Sequence, residues 1–412
     1  METKNRACII CLNYKYFPDS NNVANVVGAS SFTLNIIDCL QKYQTLGGII
    51  LYKRDETIQT PTIEARPSAN CPVLILHFNF GMEHAAVQTA ILSAVQTIKS
   101  KQQLTLDPIV YYQTDTLLKY HPTQIPSFIT HHGPFARDFI EHYSLTGAVK
   151  AYGSKAKVEH LMTSQAEGLV SLKAQQNAYV LQHSRLQKDC LIEYGLAASR
   201  IFKMVPPIIV PSVETPKVRA EIADFAEADP ATLFLISTVA RLDYFKNLDL
   251  LVEAAVALRQ QQLPVKVIIA GDALENEVNR HELLKRIPAE FQADFLICER
   301  LPKDELYSLF ALMKQRAIFV CTSRYETLAI TPLEAALLGV YTIVPNLPQV
   351  EVASYMGIEE KFTYSLADLT ALLLDCYQTK LYQRDYQLVH VQQQLDKRLF
   401  ERSFMDAVAQ VD

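Results

Sequence analysis

Short apolar runs alternate with helix-period patterns along this chain, and they do so in two successive series. Apolar runs of strand length between helices are what a parallel sheet covered on both faces requires, so the alternation predicts an α/β protein. In the first series the runs are 7–12, 48–52, 73–78, 109–113, 127–130 and 178–181, with a helix over 84–100. Residues 209–230 are acidic and rich in proline, with no long apolar stripe after Val213, and read as a connecting segment with a small helix. The second series restarts at 233–239. Asn247 is placed to cap a helix whose apolar face is Leu248, Leu251, Val252, Ala255 and Leu258. Pro264 ends that helix, and segments 265–270, 293–298, 305–313, 317–322, 332–338 and 341–344 continue the alternation. At 412 residues the chain exceeds what one hydrophobic core normally serves, so two domains are expected.

Composition narrows the function. The formal charge is −5 and no basic block occurs, which argues against nucleic acid as a partner. The first residues carry no secretory pattern, and no apolar run reaches the roughly 18 residues of a membrane span. A cytoplasmic protein without a transmembrane segment is expected, with peripheral membrane contact left open. Eight cysteines are scattered. The pair Cys8 and Cys11 falls inside a strand, where residues three apart point to opposite faces, and no second pair completes a zinc site. His281-Glu282 lacks the second histidine of an HExxH motif, because position 285 is lysine. No metal site is expected.

The chemistry concentrates in Ser323-Arg-Tyr-Glu-Thr-Leu-Ala-Ile-Thr-Pro-Leu-Glu-Ala-Ala-Leu-Leu-Gly339. Glu326 follows an apolar strand, where open α/β sheets bind ligands, and Glu334 lies in the first turn of the next helix, which Gly339 is placed to end. The loop amides and the positive helix end suit an anion, and the two flanking carboxylates suit hydroxyls on either side of it. A nucleotide sugar has that form. Thr331-Pro-Leu-Glu334 also reads as a capping box, with Thr331 as N-cap and Glu334 reaching back.

This segment resembles the Glu-x7-Glu signature of retaining glycosyltransferases of the GT-B fold, family 4 type, through Ser323, Tyr325, Glu326, Leu333, Glu334, Ala335 and Gly339. Thr327 and Ala329 stand where that family prefers glycine. The resemblance implies an α/β fold of two Rossmann-like domains facing a central cleft. An acceptor-binding domain would span 1–212, and a nucleotide-sugar-binding domain 213–384. The helical tail 385–412 would return to the first domain. Val239-Ala-Arg-Leu-Asp-Tyr-Phe-Lys-Asn247 resembles the family's Gly-Arg-Leu-x-x-x-Lys-Gly segment, which assigns Arg241 and Lys246 to the diphosphate. Two fixed cations stabilise the charge of a departing nucleoside diphosphate more in the transition state than before it, the work magnesium does elsewhere. Ile269-Ala-Gly271-Asp272 matches a family turn in which Gly271 serves a tight strand-to-loop passage.

By the same resemblance Arg300 and Leu301 meet the nucleobase, Thr327, Leu328, Ala329 and Ile330 line the donor site, Glu326 takes sugar hydroxyls and Glu334 takes ribose hydroxyls. Glu351 also stands where relatives carry a glutamate. Phe128-Ile-Thr-His-His-Gly-Pro134 resembles the family strand ending in Thr-x-His-Gly, which puts His132, beside His131, at the transferred sugar or the acceptor. Gly28 and Ala29, at the start of a helix over 32–40, stand where relatives carry a Gly-Gly turn, and loop 13–26 is expected to help recognise acceptor. His77 and Asn79 are further candidates by position. The implied activity is transfer of a sugar, with retention, from a nucleoside diphosphate donor (a UDP-sugar) to a carbohydrate or other hydroxyl-bearing acceptor. Neither metal nor cofactor is needed. A GT-B glycosyl phosphorylase and a non-catalytic GT-B partner subunit are the alternatives. A nicotinamide oxidoreductase is disfavoured, since no GxGxxG follows any strand.

Overall fold

A computed structural model of the protein describes residues 6–17, 28–273 and 277–411. Its contacts form two units: Met1–His142, Ser154–Pro207 and Lys397–Asp412 in the first, Tyr143–Gly153 and Ile208–Asp396 in the second.

In chain order the first series comprises β1 (Cys8–Asn13), α1 (Gly28–Lys42), β2 (Leu46–Arg54), β3 (Thr62–Arg66), β4 (Val73–Phe78), α2 (His84–Lys101), β5 (Ile109–Tyr112), β6 (Ser127–Ile129), α3 (Ala136–Tyr152), α4 (Lys155–Ala174), β7 (Ala178–Gln182), α5 (Arg185–Glu193) and β8 (Ile201–Lys203). The strands form an eight-stranded sheet in the order β3-β4-β2-β1-β5-β6-β7-β8. It is parallel except where β3 runs antiparallel beside β4 at the edge. The strand pleat divides the core. Ile9, Cys11, Ile50 and Tyr52 pack with α2 residues on one face, and Cys8, Ile10, Ile49 and Leu51 with α1 residues on the other. Cys8 and Cys11 are therefore separate core thiols, and burial pushes the Cys8 thiol up to about 12. Helix α3 is broken at Ser144 (φ 64°), and from Tyr143 its residues belong to the second unit.

The second unit continues with α6 (Ala220–Ala226), β9 (Leu233–Thr238), α7 (Leu248–Gln260), β10 (Val265–Ala270), α8 (Val278–Lys285), β11 (Phe295–Cys298), α9 (Lys303–Met313), β12 (Ala317–Val320), α10 (Ile330–Leu337), β13 (Tyr341–Pro345), β14 (Lys361–Phe362), α11 (Leu366–Thr379) and α12 (Tyr386–Gln394). Its six-stranded sheet has the order β11-β10-β9-β12-β13-β14. Every pairing in it is parallel. The two Rossmann-like domains of the GT-B class are thus present.

Two details differ from the sequence reading. The boundary falls at Pro207 rather than 212, and residues 385–396 stay in the second unit. Buried Gln387 of α12 is the physical reason: its side chain bonds the Thr342 amide and carbonyl of β13, each at 2.7 Å. Only the last helix, α13 (Lys397–Ala409), rejoins the first unit, burying Phe400, Phe404, Ala407 and Val408 with the α1 face of the core. Among the described residues no helix is long and apolar enough to cross a membrane.

Candidate active site

In the second sheet the strand order reverses at β9, which lies between β10 and β12. Loops leaving the carboxyl ends of strands at such a switch point frame the ligand crevice of an open α/β sheet. Here they are the loop after β9, with Arg241 and Lys246, and the loop after β12, with Glu326.

The β9 loop is fixed from below. Buried Asp272 accepts the Leu242 amide at 2.9 Å, and the Thr322 hydroxyl donates to the Lys246 carbonyl at 2.8 Å. Gly271 allows this approach, since a Cβ there would lie 2.6 Å from Leu242 Cδ2. The Lys246 ammonium bonds Glu326 Oε1, which also accepts from the Ser323 hydroxyl at 2.7 Å. Burial lowers the pKa of Lys246, but the Glu326 carboxylate outweighs it and holds the ammonium above its ordinary value. The Glu326 backbone is pinned as well: its amide donates to the Gln349 carbonyl at 2.8 Å, and its carbonyl accepts the Glu351 amide at 2.9 Å. Tyr143 braces this arrangement, donating to the Arg324 carbonyl at 2.5 Å and accepting from Gln349 Nε2 at 2.7 Å.

Arg241 lies apart from the pair. Its side chain is 70% exposed and lies 3.2 Å from the Asp243 carboxylate. Burial pushes the Asp243 carboxyl up, against the pull of Arg241 and Lys246. The same loop borders a recess of about 360 Å³ on the side of Tyr244, Asn247 and Arg324.

Glu334 is not a helix cap. Helix α10 starts at Ile330 behind Ala329, which makes no side-chain cap bond, so the capping box at Thr331 does not form. Glu334 is 3% exposed and turns to α9, where Lys303 Nζ contacts its two oxygens at 2.5 and 2.6 Å and the Tyr307 hydroxyl donates at 2.9 Å. Burial and Glu334 both push the Tyr307 hydroxyl up, so it stays a donor. Gly339 (φ 82°) ends α10 as expected, with the Val340 amide returning to the Ala335 carbonyl at 3.0 Å. Each glutamate of the motif is therefore paired with a lysine, Glu326 with Lys246 and Glu334 with Lys303.

The replaced glycines are informative. Ala329 (φ 62°) and Asn247 (φ 47°) keep the left-handed backbone that glycine adopts freely. Asn247 does not cap α7 through its side chain. That amide donates to the Tyr364 hydroxyl at 2.7 Å and accepts from Arg324 at 2.5 Å. Thr327, Leu328 and Leu301 are buried, Ile330 is half-buried and Arg300 is exposed, with its amide tied to the Asp272 carbonyl at 2.7 Å.

In the first unit His131 and His132 follow β6. The His132 ring stands edge-on to Phe32 at 4.9 Å and lies 6.1 Å from His183, which follows β7. Burial, then the neighbouring His183 and His131, hold the His132 pKa well below the ordinary imidazole value, and burial brings His183 down to about 4. Both rings are neutral near pH 7. His131 packs against Phe135 at 5.0 Å. Helix α1 begins at Gly28, so Gly28 and Ala29 do stand at a helix start, while residues 18–26 of the expected acceptor loop lie outside the described residues. Asn79 ties its loop to the one after β2, donating to the carbonyls of Asp55 and Ile58 and accepting the Gly81 amide, and His77 lies 3.3 Å from Glu64.

Lys303, Tyr307, Tyr143 and His183 escaped the sequence reading. For Lys303 and Tyr307 a signal existed: they stand four apart at the start of a helix and so share one face.

Residues 220–354 match the family model described as glycosyl transferases group 1, and that segment contains Arg241, Lys246, Arg300, Leu301, Glu326 and Glu334. No curated protein matches the sequence significantly. Solved structures are similar over nearly the whole chain. An α,α-trehalose-phosphate synthase (UDP-forming) from Burkholderia vietnamiensis gives a TM-score of 0.64 at 13% identity, covering 98% of both chains. HepE from Anabaena, in complex with UDP and glucose, gives 0.64 at 14% identity, covering 98% of this chain and 99% of its own. An E. coli structure bound with UDP-2-fluoro glucose gives 0.64 at 11% identity, covering 98% of this chain and all of its own. At these identities the likeness shows the fold, and the group 1 match places a glycosyltransferase segment in the second unit.

Proposed function

We propose that the protein is a metal-independent retaining glycosyltransferase of family 4 type that takes a sugar from a UDP-sugar. The carrying observation is the Lys246–Glu326–Ser323 cluster at the β9/β12 switch point. In this reading Lys246 and Arg241 take the diphosphate, and the amides at the start of α10 add partial positive charge. Glu326, held in place by Lys246 and its backbone bonds, accepts from sugar hydroxyls. Glu334 accepts from the ribose. A phosphate oxygen of the donor takes the acceptor's proton, so no carboxylate nucleophile is called for. In the first unit, neutral His132 is the residue assigned to the acceptor. The group 1 match and the UDP complexes of the fold relatives support the choice of donor class.

Incubation with UDP-sugars and an acceptor panel tests this, with the product anomer read by NMR. Transfer with retention is expected, and Arg241→Ala and Lys246→Ala each lower turnover by roughly 10²–10³-fold. The two variants differ in stability: Arg241 is exposed, whereas loss of Lys246 strands the Glu326 carboxylate. Sugar 1-phosphate formation on adding phosphate would favour a phosphorylase, and donor binding without turnover a partner subunit.

A further inference from the structure

Lys303 and Tyr307 both serve Glu334, but they differ in freedom. The Lys303 side chain is 34% exposed, whereas that of Glu334 is 4% exposed. A lysine on a four-carbon stem can swing its ammonium into water, and a carboxylate buried on α10 cannot follow it. Lys303 contacts Oε1 at 2.5 Å and Oε2 at 2.6 Å, and Tyr307 takes a further site on Oε1. A carboxylate offers about four lone-pair sites. A ribose diol that engages both oxygens therefore competes with Lys303.

We infer that Lys303 is the exchangeable counter-cation of Glu334. It satisfies the carboxylate in the free protein, yields to ribose hydroxyls when a nucleoside diphosphate binds, and so sets how strictly those hydroxyls are required. The inference rests on the donor reading above and names the residue that tunes it. Its physical basis is an asymmetry: an unsatisfied buried acceptor costs more than a hydrogen bond contributes. With Lys303 present, a nucleotide lacking one hydroxyl leaves Glu334 an ammonium to fall back on, and discrimination is weak. Without Lys303 the missing hydroxyl leaves the carboxylate short of a donor, and discrimination is strong. Arginine would hold the carboxylate through a bidentate fork and release it less readily.

Calorimetric titration of the full chain with UDP and with 2′-deoxy-UDP tests this. Wild type is expected to prefer UDP by only about threefold. Lys303→Met raises that ratio about tenfold further, and Lys303→Arg weakens UDP about tenfold while bringing the ratio toward one. One ratio common to all three proteins overturns the inference. Should the methionine variant not fold, the arginine variant decides alone, and unchanged UDP affinity and ratio there overturn it. Failure of wild type to bind UDP overturns the donor reading and this inference together, before any variant is compared.

Discussion

Removing either partner of the Lys303–Glu334 pair should cost very different amounts. Lys303→Met leaves a carboxylate that is 3% exposed with Tyr307 still donating to it. Breaking a fully buried pair costs about 3–5 kcal/mol, and the partly exposed lysine brings the expected figure to about 2–4 kcal/mol. Glu334→Gln leaves an ammonium that is 34% exposed and can turn to water, beside an amide that still accepts from Tyr307. That change should cost about 0.5–1.5 kcal/mol. Combining the two removes the stranded charge, so the double variant should resemble Glu334→Gln, with a coupling equal to the cost of Lys303→Met, about 2–4 kcal/mol. Urea denaturation followed by circular dichroism measures all three. Equal costs for the single variants, or simple additivity, would refute the assignment of Glu334 as a buried ion-pair member.

Ala329→Gly should stabilise the protein by about 0.5–1 kcal/mol, since relief of the left-handed alanine outweighs the extra unfolded-state freedom of glycine; a loss of stability would contradict the strain seen at φ 62°. His183, brought to about 4 by burial, is neutral in the folded state while the unfolded imidazole titrates near 6.5. Its contribution is complete above that value and is lost as pH falls toward 4, at about 1.4 kcal/mol per pH unit. The stability gap between wild type and His183→Gln should therefore shrink across that window, and a constant gap would count against a neutral buried ring. Sugar transfer should persist in EDTA, because Arg241 and Lys246 supply the charge that magnesium would. Activity lost on chelation and restored by a divalent ion would contradict this.

Much of the fold was legible because buried parallel strands are written as apolar runs: β9, β10 and β12 were all visible that way. Edge strand β3 was not, because Thr62–Arg66 lies at the sheet margin and its short alternation rests on Ile63 and an exposed Ala65 alone. The site was legible where a motif is contiguous, as in the Glu326 loop and the Gly339 helix end. It was not legible where partners come from different elements. The capping-box pattern at Thr331 is sound locally, but Lys303 and Tyr307, roughly thirty residues earlier, capture Glu334 instead. Asn247 likewise has capping chemistry, yet its side chain is taken by Tyr364 and Arg324. The tail from Asp385 on reads as one helical, charged segment, until Gln387 of α12 meets the backbone of β13.

Calorimetric titration of UDP into wild type, Glu326→Ala and Glu334→Ala, beside a transfer assay with the UDP-sugar, separates the roles of the two glutamates. Wild type is expected to bind UDP, Glu334→Ala to lose most of that affinity, and Glu326→Ala to bind UDP almost normally while failing to transfer the sugar. UDP affinity unchanged in Glu334→Ala, or no binding by wild type, would contradict the assigned donor site.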